Sequence, residues 1–184
     1  MIDEQQFRQL MSGVCAPVAV VTTVNDGTPY GATVSSLASL SLTPPLVSVA
    51  FDRSSMMLAR VQEARRFGVN VLGHAQADVA MAFARRGANR AGAGRPGTDR
   101  FAGADWFFDE GLPRLAGGPG WMACDLHRAI EAGDHVLLLG LVRSASTRPG
   151  VAPLVYAHRT FGTHSRFAER PRPAIADLIS ACAS

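Results

Sequence analysis

The residues best suited to chemistry lie between Tyr30 and Ser55, in YGATVSSLASLSLTPPLVSVAFDRSS. Gly31, Ala32, Thr33, Val34, Ser35 and Ser36 set small and hydroxylated side chains in a row. After the next apolar run comes a second polar cluster, Asp52, Arg53, Ser54 and Ser55. Glycine and alanine let a main chain approach a ligand closely, and hydroxyls and N–H groups supply donors. The pattern suits a backbone-lined shelf for a flat, phosphorylated molecule. It equally suits a hairpin edge whose serines satisfy turns.

Several chemistries are excluded. The chain has 18 basic residues and no lysine, so every one is arginine. A Schiff-base lysine and a P-loop lysine are therefore impossible. The three cysteines, Cys15, Cys124 and Cys182, are far apart, and no CxxC, HExxH or Cys/His cluster occurs, so neither a disulfide framework nor a metal site is expected. His74, His127, His158 and His164 are too scattered to form a ligand set. Gly92, Gly94 and Gly97 spell GxGxxG, but no strand precedes them, and Pro96 and Gly97 stand where a helix should start. The arginines from Arg65 to Arg100 make a basic middle without regularly interleaved aromatics, and nucleic-acid binding is not expected.

The elements that must position these residues follow from pattern. At 184 residues, 47% hydrophobic and 18% charged, the chain fits one globular domain. That domain is expected over 1–184, with a core from about 7 to 161 and a tail over 170–184. No apolar run is long enough to span a bilayer. The opening MIDEQQFRQL lacks the basic-then-apolar pattern of an export signal, which favours a cytoplasmic location. Asp3 reads as the N-cap of a short helix carrying Phe7, Leu10 and Met11 and ending at Gly13. Pro17 to Val24 is a β-branched strand, Asn25-Asp26-Gly27 a hairpin turn, and Thr28 to Val34 its partner. Leu46 to Phe51 is another strand, and Ser54 or Ser55 caps a helix bearing Met57, Leu58 and Val61. Phe67 to Leu72 alternates as a strand, with Asn70 read as an outward polar position. Ala75 to Arg86 is a second helix with Val79, Ala80 and Phe83 on one face, and Gly87 to Arg100 is a surface loop. Trp106-Phe107-Phe108 reads as a core insertion and Gly111 to Gly120 as a turn region. Met122 to Ile130, His135 to Ser144 and Leu154 to Ala157 complete the strands. Ile175, Leu178 and Ile179 repeat at helical spacing in the tail. The fold class is mainly β with inserted short helices, closing into a small antiparallel barrel.

Taken in order, PVAVVTT, YGATVSSLASLSLTPPLVSVAFDRSS, FGVNVL, AFARR, GDHVLLLGLV and PLVYAHRTF resemble the short-chain flavin reductases. These are the small components of two-component flavin-dependent monooxygenases. The resemblance implies an FMN-binding split β-barrel and a homodimer. It also implies an activity in which NADH or NADPH reduces FMN or FAD, and the reduced flavin diffuses to a partner monooxygenase. It places Thr33, Val34, Ser35 and Ser36 along the isoalloxazine ring and ribityl chain, and Asp52, Ser54 and Ser55 at the phosphate end. Asn70, Leu72, Ala75 and Gln76 would line the flavin, Phe83 and Arg86 would finish the pocket, and His135 would stand on the nicotinamide side. The chain departs from the family in its long, lysine-free loop after the second helix, which leaves Arg86, Arg90 and Arg100 as rival phosphate contacts.

Hydride transfer between nicotinamide and flavin needs no protein nucleophile, since the cofactors carry the electronics and the protein supplies orientation. On the flavin reading, Asp52 caps the following helix and leaves the Ser54 and Ser55 N–H groups for the phosphate. His135 also has a simpler reading, a strand-end histidine bonded to Asp134. Two rival functions share the barrel: a non-catalytic flavin- or haem-binding protein, and an enzyme like pyridoxamine-phosphate oxidase.

Overall fold

The computed structural model describes residues 2–85 and 100–164. The expected loop from Gly87 to Arg100, apart from Arg100 itself, and Arg86 and the 170–184 tail lie outside these residues.

Strand β2 (Ala19–Asn25) explains the fold's layering. Ala19 and Val21 point into one apolar cluster, while Val20, with Val18 just before the strand, points into a second. A strand buried on both faces needs no polar alternation, hence the unbroken β-branched run. It turns at Asp26-Gly27 into β3 (Thr28–Val34), with Asn25 opposite Thr28. The sheet continues through β6 (Arg66–Val71), β9 (Gly120–Ala132), β10 (His135–Thr147), β5 (Leu46–Asp52) and β4 (Ala38–Ser41). The order is β3-β2-β6-β9-β10-β5-β4, antiparallel throughout. Helix α2 (Met56–Ala64) drives Met57, Leu58 and Val61 into the first cluster with Phe67, Val69 and Leu138. Helix α3 (Ala77–Ala84) brings Ala80 and Phe83 to the second, with Leu72, Phe101 and Leu154.

Helix α1 (Glu4–Ser12) has the expected ends: the Gln6 N–H donates to the Asp3 carboxylate at 2.8 Å, and Gly13 closes it. It buries nothing among the described residues, and Phe7, Leu10 and Met11 stay exposed. A small sheet of β1 (Ala16–Pro17), β11 (Leu154–Ala157) and β12 (Thr160–Thr163) flanks the main one. No helix among the described residues is long and apolar enough to cross a membrane.

Three readings are corrected. Trp106-Phe107-Phe108 is no core insertion but most of β7 (Trp106–Asp109). It pairs with β8 (Leu112–Leu115), and Phe107 and Phe108 are exposed. The supposed turn region after Gly111 therefore contains a strand, entered through Glu110 and Gly111 at φ 49° and 75°. Asn70 is not outward: it is 2% exposed, because the β7–β8 hairpin covers that face. Its amide accepts from the Leu115 N–H at 2.7 Å and donates to the Val20 carbonyl at 3.2 Å, fastening the hairpin to the sheet.

Candidate functional site

The edge strands of the main sheet are β3 and β4, and Ser36, in the link between them, reaches β5 just beyond the β4–β5 ladder. The Ser36 hydroxyl accepts from the Ala50 N–H at 2.8 Å and donates to the Ala50 carbonyl at 3.2 Å. A side chain thus takes the place of a missing ladder neighbour, holding the end of the shelf sequence against β5. Behind it, Val34 is buried and the Thr33 hydroxyl donates to the Ala80 carbonyl at 2.7 Å, which ties α3 to β3. Ser35 is exposed and engages no other described residue.

At the far end of β5 the chain folds back on itself. The Asp52 carboxylate accepts from the Ser54 N–H at 2.8 Å and the Ser54 hydroxyl at 2.6 Å, while the Ser55 N–H donates to the Asp52 carbonyl at 2.8 Å. Asp52 thereby consumes the two N–H groups expected to meet a phosphate, a correction caused by the tight Asx-type turn. Ser55 is the N-cap of α2 and makes no side-chain cap bond, so its hydroxyl remains available there.

The β9–β10 hairpin closes on this turn. Gly133, at φ 63°, and Asp134 form a two-residue connection, with glycine where a left-handed conformation is required. The ladder then sets His135 opposite Asp52. The Arg53 N–H donates to the Asp134 carbonyl at 3.0 Å, and the Arg53 guanidinium pairs with Glu131 at 3.1 Å. His135 Nδ1 lies 2.8 Å from the Asp134 carboxylate. That hydrogen bond first, and the imidazole's charge second, hold the Asp134 carboxyl below the usual carboxylate range, against an opposing effect of Asp52.

The structure thus brings Thr33, Val34, Ser35, Ser36, Asp52, Ser54, Ser55 and His135 to neighbouring ends of β3, β5 and β10. It does not put the other described candidates on that surface. Asn70, Leu72 and Phe83 are interior side chains; Phe83 packs edge-on against Phe101 at 4.8 Å. Ala75 is exposed on a single 3-10 turn at His74–Gln76. The Gln76 side chain there accepts from the Gly73 N–H and donates to the Ala116 carbonyl, both at 2.8 Å. Arg100 is spent on carbonyls, those of Gly31 at 3.0 Å, Phe83 at 3.2 Å and Arg85 at 2.6 Å, and partial burial lowers its pKa. It fastens the end of α3 rather than offering itself to a phosphate. Sequence reasoning placed Arg53 in the polar cluster but missed its partner Glu131, because the pairing depends on strand register and leaves no local signal. An open depression of about 860 Å³ between α1 and Arg159 is lined by none of the candidates.

The family model described as a flavin reductase like domain matches residues 11–165. The chain belongs to the flavin reductase family. Its relatives include the reductase component of a 4-nitrophenol 4-monooxygenase/4-nitrocatechol 2-monooxygenase from Rhodococcus opacus. That protein is 34% identical over 161 residues, 88% of this chain and 81% of the relative. A homologue of nitrilotriacetate monooxygenase component B from Mycobacterium thermoresistibile has a similar structure, with a TM-score of 0.82 and 30% identity. The match covers 96% of this chain and 94% of that one. The NADH:FAD oxidoreductase SgcE6 of Streptomyces globisporus, solved with NAD and FAD fragments, gives a TM-score of 0.81 at 29% identity, covering 92% and 99%. The split barrel expected from the resemblance is the fold observed, and this flavin reductase family member is an NAD(P)H-dependent enzyme.

Proposed function

We propose that this flavin reductase binds FMN or FAD along Thr33–Ser36, with the Asp52–Ser55 turn at the phosphate end, shaped by Ser54 and offering the Ser55 hydroxyl, and His135 on the nicotinamide side. The observation that carries this reading is the pair of ties that unite those segments. Ser36 is stitched to Ala50 on β5, and Asp52, two residues along the same strand, faces His135 in the ladder. The donor set fits a flavin: the Ser35 and Ser55 hydroxyls are not engaged by other described residues, and Ser36 is already fixed in place. Flavin, when bound, supplies the hydride-accepting ring. The chain's own share is to orient that ring with main-chain groups and to present an imidazole beside it.

The product is reduced flavin passed by diffusion to a separate monooxygenase, as befits a relative of monooxygenase reductase components. A homodimer belongs to the same reading. Leu137, Leu139 and Leu141 are half-buried, opposite Ala50, Ser48 and Leu46, and Leu40 and Leu42 beside them are exposed. An apolar sheet face of this kind suits a second copy of the chain.

The deciding experiment follows NADH and NADPH oxidation by the purified protein with FMN, FAD or no flavin. Turnover that rises with added flavin is expected. Bound flavin without turnover would replace this reading with that of a binding protein. Sedimentation of the same sample tests the dimer.

A further inference from the structure

We propose that Asp134 is a positioning residue that holds the His135 imidazole as its Nδ1–H tautomer, so that Nε2 meets the nicotinamide carboxamide as a hydrogen-bond acceptor. This rests on the placement of His135 on the nicotinamide side.

A neutral imidazole carries one proton, and the nitrogen facing a carboxylate is the one that must hold it. His135 Nδ1 sits 2.8 Å from the Asp134 carboxylate, which as an anion can only accept. Nε2 is then the bare nitrogen. The other charged groups around the ring have different engagements. The Asp52 carboxylate, across the ladder, accepts from Ser54; Glu131, on the same hairpin, pairs with Arg53. The position of Asp134 is fixed by its main chain, whose carbonyl accepts from the Arg53 N–H at 3.0 Å. The depression of the Asp134 pKa has the His135 hydrogen bond as its largest cause. Of the nicotinamide's polar groups, an acceptor selects the carboxamide N–H. The 3-acetylpyridine analogue of NADH keeps the carbonyl but has no such donor.

The test compares wild type, Asp134→Ala, His135→Ala and Glu131→Gln, the last removing a nearby charge that pairs with Arg53. Imidazole ¹⁵N spectra of the flavin-free protein report the tautomer directly. Neutral His135 is expected to carry its proton on Nδ1 in wild type and Glu131→Gln, and to lose that bias in Asp134→Ala. In kinetics, the hydrogen bond is read as a change in preference, since the acetylpyridine analogue is itself the weaker hydride donor. The preference for NADH over the analogue is expected to shrink about three- to tenfold from wild type to Asp134→Ala, the worth of one hydrogen bond. An unchanged tautomer, or an unchanged preference in Asp134→Ala while His135→Ala reduces it, overturns the role of Asp134. If His135→Ala itself leaves NADH kinetics untouched, the placement of His135 fails and this inference with it. Flavin-dependent NADH oxidation by wild type, measured alongside, keeps either failure separate from that of the reductase activity.

Discussion

Asp52 and His135 stand directly opposite each other where β5 ends and β10 begins. Two segments 83 positions apart in the chain, one read as a phosphate turn and one as a nicotinamide contact, are therefore a single structural unit. The Arg53–Asp134 main-chain bond and the Arg53–Glu131 pair reinforce the joint. Orientation is the main thing a protein contributes to hydride transfer, so a rigid joint at this place matters.

The first prediction follows from that joint. His135 is about half exposed and its ring hydrogen-bonds Asp134, not a shelf residue, so His135→Ala should spare flavin binding. The expected result is a fall of about tenfold in kcat/KM for NADH with flavin affinity within about twofold, since one ligand-facing hydrogen bond is lost. Steady-state kinetics and a flavin fluorescence titration check it, and unchanged NADH kinetics would remove His135 from the site.

Asp52 acts through the turn it builds. Asparagine keeps an acceptor for the Ser54 N–H and hydroxyl, whereas alanine removes it from both. Flavin affinity should stay within about threefold in Asp52→Asn and weaken about tenfold in Asp52→Ala, because two local bonds hold the turn's shape. Equal losses in both variants would mean that the negative charge itself matters.

Much of this was legible in the sequence. The β2–β3 hairpin announced itself through β-branched runs on either side of Asn25-Asp26-Gly27, and the observed strands end where those signals do. The hydroxyls of the shelf were legible as residue types, but their partners were not. Thr33 serves α3, Ser36 serves β5 and Ser54 serves Asp52, and such bonds depend on which strands become neighbours. Asn70 misled because alternation assigns a face without saying what covers it, and here the β7–β8 hairpin does. The β11–β12 turn at His158-Arg159 adopts positive φ at two non-glycine residues, which no turn preference forecasts.

Gly31 illustrates a packing constraint at the shelf's entrance. A Cβ there would lie 2.6 Å from Phe83 Cε1, and that ring is held by Phe101 and cannot swing away cheaply. Gly31→Ala should cost about 1–3 kcal/mol through overpacking. A lowered thermal midpoint checks it, and wild-type stability would show that the ring has room to move.

Cys124 gives a pH prediction. Burial first, and Asp125 second, push its thiol up to about 12 from an ordinary 9.0. A folded pKa above the unfolded one means stability that is whole below about pH 9 and is lost as pH rises toward 12. Alkaline unfolding should therefore be less steep in Cys124→Ala. In the native protein at pH 8, peptide-resolved alkylation should label exposed Cys15 and spare buried Cys124. Labelling of both at equal rates would contradict the burial.

Ser36 gives the sharpest test of how the split barrel makes its site. Its hydroxyl satisfies both polar groups of Ala50, so Ser36→Ala leaves an N–H and a carbonyl of β5 without that partner. Ala50 is only half-buried, so water can replace part of the loss, and a stability cost of about 1 kcal/mol is expected. Flavin affinity should fall further than stability does, because the end of the shelf is no longer tied to the strand that leads to Asp52. Ser36→Thr keeps the hydroxyl and should retain most of the binding. A Ser36→Ala protein that binds flavin normally would show that the bridge supports the barrel alone and not the site.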